Sequence, residues 1–341
     1  MTFYILLFIF LLLVSFVGAG KRVIVLSLLI MAFFLGFRGD EVGTDTPIYI
    51  AYYNMIWLQA DEGYMELGWN TLIILCKKIN LSAQGFHFFI ALLTLIPFYF
   101  VITDLKDRKQ QGIALFLVYA LGFYLYMFNG MRQFLAISIV FWGYSWIVKG
   151  RTKLFFLSIL LASTIHQSAL VALSVIILRK IKLSSNRILF VLFMTYMVGL
   201  ILEPDTLSNI AGAYSHYIIK SNFREGYIYS LTVVLLTNIL FIWLYFLLPS
   251  CRENIWVNIN LLSIVFMNLL SSLILGPRIV YFFSISQIMA IPVFMSCKEH
   301  KLVRPILYLY SIITLGRFLL PEMLGAEGDF IPYDMNIRLF E

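Results

Sequence analysis

Residues Phe86 to Thr103 read FHFFIALLTLIPFYFVIT, eighteen positions without an aspartate, glutamate, lysine or arginine. As an α-helix this stretch is about 27 Å long, close to the hydrocarbon thickness of a bilayer, and it lacks the charged face of a soluble helix. Working outward, similar stretches recur at Phe3 to Ala19, Val23 to Phe37, Gly112 to Phe128, Phe134 to Val148 and Leu154 to Leu178. Others lie at Ile188 to Leu202, Tyr227 to Leu248, Ile259 to Leu275, Ile279 to Ser296 and Pro305 to Leu320. Lipid-exposed backbone must satisfy its own hydrogen bonds, and these runs lack the alternation of barrel strands, so an all-α polytopic membrane protein is expected. The chain is 61% hydrophobic and only 13% charged, which leaves no polar block to fold separately. Residues 1–341 are therefore read as one integral membrane domain. The first stretch has no positive leader and runs directly into the second, so it is read as a retained helix.

Several chemistries lose support at once. Cys76, Cys251 and Cys297 show no CxxC or Cys/His ligand spacing, so neither a metal site nor a disulfide framework is expected, and no cofactor is called for. There is no GxSxG, P-loop, dinucleotide fingerprint or HExxH pair. The net charge of +7 is not gathered into a soluble, aromatic-bearing surface, so nucleic acid is not an expected partner.

The charge is instead divided across the membrane. Basic residues flanking spans are retained in the cytoplasm. Lys21-Arg22, Lys106-Arg108-Lys109, Lys149-Arg151-Lys153, Arg179-Lys180-Lys182-Arg187, Arg252 and Lys298-Lys301-Arg304 place sixteen basic and four acidic residues on one side. The other side keeps nine basic and fourteen acidic residues and is read as the outside, together with both termini. One segment breaks the pattern: a single span from Leu154 to Leu178 would put Arg179 to Arg187 outside. It is expected to turn back near Ser163 to Ser168, as a re-entrant hairpin with His166 at its outer tip, which gives about twelve membrane segments.

Three substantial outer segments follow, at residues 38–85, 203–226 and 321–341. In the first, Thr46-Pro47 is a helix start, and Tyr49, Tyr52, Tyr53, Ile56 and Trp57 recur at helical spacing, as on an interfacial helix. Asp40, Glu41 and Asp45 precede it. Glu66, taken alone, reads as a solvated loop charge, and His216 in the second segment reads the same way. Arg38, Arg132, Arg278 and Arg317 stand at outer span ends or within a span, where arginine is costly and needs a partner. Converging guanidinium forks would suit a multiply charged oxyanion such as diphosphate.

The ordered pieces resemble the EpsG-like branch of bacterial Wzy-type polysaccharide polymerases. They are Phe37-Arg38 through Val42-Gly43-Thr44-Asp45-Thr46 with Tyr49, Glu66 before an apolar helix, and Asn129-Gly130-Met131-Arg132-Gln133 with Ala136. Ala162-Ser163-Thr164-Ile165-His166-Gln167-Ser168-Ala169, Pro277-Arg278-Ile279-Val280-Tyr281-Phe282 and Ile331-Pro332-Tyr333 complete the set. The resemblance implies transfer of a growing glycan from undecaprenyl diphosphate to a lipid-linked repeat unit at the outer face of the inner membrane, without metal. By analogy it implies a GT-C-like fold. Its partners would be lipid-linked oligosaccharides, membrane lipids and a chain-length regulator. Under that reading Arg132, Arg278, Arg38 and Arg317 hold diphosphate, and Glu66, Tyr49, Gln133 and Tyr281 contact substrate. Either Asp45 or His166 is the general base; if His166 has that task, Asp45 orients the acceptor. A flippase or other transporter and a multispan acyltransferase are the competing readings.

Overall fold

The computed structural model describes residues 2–55, 65–178, 185–201, 231–271, 273, 276–296, 301–323 and 331–340. The expected outer segment 203–226 with His216, the aromatic positions Ile56 and Trp57, the basic residues Arg179, Lys180, Lys182 and Lys298, and Cys297 lie outside them. Among the described residues every regular element is a helix, with two isolated β-bridges. The chain divides into two compact units, one of residues 1–170 and 298–341 and one of residues 171–297.

In the first unit, α1 (Thr2–Val17) packs along α6 (Arg108–Ala120), and α2 (Lys21–Gly36) along α5 (Ala83–Ile102). α5 in turn packs on α8 (Met131–Val148), and α8 on α9 (Thr152–Ile165). α3 (Thr46–Met55) and α4 (Leu67–Lys78) come from the segment between α2 and α5; α4 lies against α9. α7 (Phe123–Asn129) links α6 to α8, and α16 (Val303–Met323) closes on α6. Large apolar side chains stay exposed along α1 and α9, among them Leu6, Leu13, Phe16, Leu157 and Leu160. In a chain this poor in charge such ridges are what lipid contact requires.

The second unit contains a 3-10 turn and α10 (Val175–Leu178), then α11 (Ser185–Ile201), α12 (Leu231–Leu247), α13 (Ile255–Leu269), α14 (Gly276–Ser284) and α15 (Gln287–Ser296). α13 packs against the other four long helices of the unit. A buried amide pair ties α12 to α13: Asn238 Nδ2 donates to Asn268 Oδ1 at 2.6 Å, and Asn268 Nδ2 to Asn238 Oδ1 at 3.1 Å.

Among the described residues three helices, at Ala83–Ile102, Met131–Val148 and Val303–Leu320, are long and apolar enough to cross a bilayer, or five spans if each of two bent pairs counts as one. This is fewer than the twelve segments expected. Six shorter apolar helices among the described residues, such as Thr152–Ile165, reach about 24 Å at most and fall short of a 30 Å core. Two stretches read as straight spans are bent instead. α6 and α7 meet at 41°, at Gly122, whose φ of +78° and contact with Phe318 exclude a side chain. α14 and α15 meet at 46°. The 154–178 stretch is broken where its charge imbalance pointed: α9 stops at Ile165, His166 is extended, and a 3-10 helix takes over at Gln167.

The first unit has two chemically distinct ends. At one, Ala19 N–H donates to Arg108 C=O at 2.8 Å, Lys149 pairs with Asp104 at 2.6 Å, and Tyr308 O–H reaches Ser15 at 3.1 Å, four residues past Arg304. At the other, the tail 331–340 is laced to the segment 34–85. Gly39 N–H donates to Asp334 C=O, Asn336 N–H to Phe37 C=O, and Ser82 N–H to Leu339 C=O, all within 3.0 Å. Tyr333 O–H caps Phe34 C=O, and its ring lies 5.0 Å from that of Phe3, so residues near both ends of the described chain meet there.

Candidate functional site

The tail-bearing end of the first unit collects most of the residues singled out above. Its frame is the loop 38–46. Gly43, with φ of +94°, fits against Phe128 C=O and Asn129 Oδ1, where a Cβ would stand 2.8 and 3.0 Å from those oxygens. Thr46 begins α3 as expected, but its hydroxyl serves the loop, donating to Val42 C=O at 2.7 Å and accepting from Arg38 Nε at 3.0 Å. Arg38 also donates to Leu35 C=O and, at 3.2 Å, to Phe128 C=O. It is 1% exposed. Burial brings its guanidinium down to about 10 against the opposing influence of Tyr49, Tyr124, Tyr333 and Tyr4, so it remains a cation at neutral pH. Asp45 sits half-buried on this loop, and its carbonyl accepts from Tyr49 N–H.

Phe128 and Asn129 end α7, and a single glycine later α8 begins, which brings Arg132 into its first turn. Arg132 Nη1 donates to Glu66 Oε2. Glu66 occupies the N-cap position of α4, yet its carboxylate caps nothing there. Oε1 accepts instead from Gln167 N–H at 3.0 Å and lies 3.5 Å from His166 Nδ1. α4 can come this close because Gly68 meets Thr164, where any Cβ would be 2.4 Å from the Thr164 hydroxyl. Glu66 therefore binds the outer turn at Arg132 to the helix break at His166. The three side chains are 18 to 24% exposed, sheltered but reachable.

Burial alone would raise the Glu66 carboxyl, but the nearby His166 ring, the hydrogen bond from Gln167 N–H and the charge of Arg132 outweigh it and hold the group at about 2. It is a carboxylate throughout the physiological range. Glu66 faces Nδ1 of His166, so the ring nitrogen not turned toward the carboxylate is Nε2. Arg132 Nε is buried without a hydrogen-bond partner.

Glu66, read in isolation as a solvated loop charge, is thus the centre of the cluster. Tyr49 packs its ring 5.7 Å from Trp69, and Gln133 is buried beside Arg132. Arg317 is exposed on α16. Arg278, exposed, and Tyr281, buried, lie on α14 in the second unit. Asn70 escaped notice in the sequence: its amide accepts from Tyr52 O–H at 2.9 Å and donates to Met65 C=O at 3.2 Å, bracing the turn before Glu66. Nothing in its immediate sequence marks it. Among the described residues no group of three or more His, Cys, Asp or Glu is placed to hold a metal ion.

These features define a helical, multi-pass membrane protein with a charged carboxylate, imidazole and guanidinium cluster at one end of a compact unit. The chain matches the EpsG family over residues 21–335 and belongs to it, a membership that points to polysaccharide polymerisation in general. No curated protein and no solved structure matches it significantly.

Proposed function

We propose that this protein is a glycosyltransferase that extends a polysaccharide by moving a growing glycan from undecaprenyl diphosphate onto the sugar of a lipid-linked repeat unit, at the outer face of the inner membrane. The observation that supports it best is the cluster of Arg132, Glu66 and His166 beside the Asp45 loop. The acceptor hydroxyl attacks the anomeric carbon and gives its proton to His166 Nε2, while the bond to the diphosphate oxygen breaks and the leaving group departs with the electron pair. Glu66 holds the imidazole of His166 in register by facing Nδ1. Arg132 stabilises charge growing on the diphosphate, a task a guanidinium performs without metal. Asp45 orients the acceptor. The assignment of Arg278 to diphosphate, and of Gln133, Tyr49 and Tyr281 to sugar, rests on the family resemblance, and that of Arg317 on its place within a span, where arginine needs a partner.

The test is reconstitution with lipid-diphosphate-linked repeat units. The unsubstituted protein is expected to convert them into a ladder, with EDTA present, and His166→Ala and Arg132→Ala to leave single units while still inserting. Long chains retained by both variants would remove the assignment. Translocation of lipid-linked glycan without elongation would favour a transporter.

A further inference from the structure

We infer that Arg38 is a positioning residue, which fixes the Asp45 loop against the turn that presents Arg132, and is not itself a diphosphate ligand. This rests on the proposed transferase site at that end of the unit. A ligand for diphosphate must be reachable, whereas Arg38 is 1% exposed and each of its three side-chain nitrogens already donates to a protein oxygen. Those oxygens belong to three separate places: Leu35 at the end of α2, Thr46 at the start of α3, and Phe128 near the end of α7. The guanidinium also lies 5.5 Å over the Phe128 ring. Thr46 carries the hold onward to Val42, and Gly43 seats the loop on Phe128 and Asn129. On the backbone side, residue 38 pairs with Met335 of the tail. One planar fork therefore sets the distance between residues 42–46 and the turn that leads into Arg132. A lysine carries three N–H donors, but all on one nitrogen, so it cannot reproduce a planar fork whose Nε, Nη1 and Nη2 each reach a different oxygen.

The experiment pairs hydrogen exchange over residues 39–48, which needs no substrate, with steady-state elongation in proteoliposomes. Arg38→Lys and Thr46→Ala are each expected to speed exchange in the loop and to lower kcat on the order of 10²-fold, since small misplacements of a reacting group cost about that much. KM for the lipid-linked donor should hold, the double variant should be little worse than either single one, and Thr46→Ser should stay close to the unsubstituted protein in both readouts. If Arg38→Lys does not fold, the two Thr46 variants carry the test. A raised donor KM with unchanged kcat and unchanged exchange would make Arg38 a substrate contact and overturn the inference, as would variants that change neither readout. Failure of the unsubstituted protein to elongate would count against the proposed function, and the exchange data would still decide the role of Arg38.

Discussion

Glu66 accepts from two donors that the chain brings from far apart, the Arg132 guanidinium and the Gln167 N–H, and lies 3.5 Å from the His166 ring. Its proton affinity makes these contacts measurable. The carboxyl stands at about 2 in the folded protein against an ordinary 4.5, a depressed value. Its contribution to stability is therefore complete above 4.5, declines as the pH falls from there, and is gone below about 2. The difference in Tm between the unsubstituted protein and Glu66→Gln is expected to be constant from pH 7 to 5 and to shrink on further acidification. A difference that stays level down to pH 3 would mean that the carboxylate is not held charged by its partners. In the proposed transfer reaction Glu66→Gln is expected to lower kcat about 10²- to 10⁴-fold, the range for losing general-base assistance, with membrane insertion preserved.

At the scale of elements, the legible parts of the chain were those fixed by local chemistry. Thr46-Pro47 marks the start of α3, the uncharged run from Phe86 fills α5, and the misplaced basic residues after Leu178 locate the break at His166. Glu66 was illegible because its partners stand 66 and 101 residues away, so that nothing beside it in sequence tells a solvated charge from a clustered one. The bend at Gly122 was illegible for a related reason: apolar composition is the same in a straight and a broken span, and only the left-handed glycine separates them. The α12–α13 amide pair is likewise a long-range feature with a testable cost. Asn238→Leu leaves the Asn268 amide without one of its partners, and Asn268→Leu does the reverse. Interhelical polar contacts in bilayers contribute about 0.6 to 2 kcal/mol, and a buried orphan costs more than a removed pair. Each single leucine variant is expected to destabilise the protein, and the double variant by less than the sum, read from unfolding in bicelles. Strict additivity would show that the two amides do not act on one another.

At the scale of the whole molecule, the charge map and the packing of the first unit are independent observations that agree. Positive-inside bookkeeping separates Lys21-Arg22, Lys106 to Lys109, Lys149 to Lys153 and Arg304 from the acidic segments without using any contact. The contacts then join Ala19 to Arg108 and Lys149 to Asp104 at one end, and the tail to Gly39 and Ser82 at the other. α5 alone, at twenty residues or about 30 Å, holds those two ends a bilayer apart, since it begins just after Ser82 and stops just before Asp104. If that separation is the membrane, single cysteines at Thr44 and Arg338 must react with an impermeant maleimide from the periplasmic side. Cysteines at Lys109 and Lys149 must react only after the membrane is opened, in a background from which Cys76, Cys251 and Cys297 have been removed. Thr44 and Arg338 have to agree with each other, because the tail is hydrogen-bonded to the same segment that carries the loop. Labelling of Thr44 and Lys109 from one side would break the orientation, and with it the proposed placement of Glu66 and His166 on the outer face.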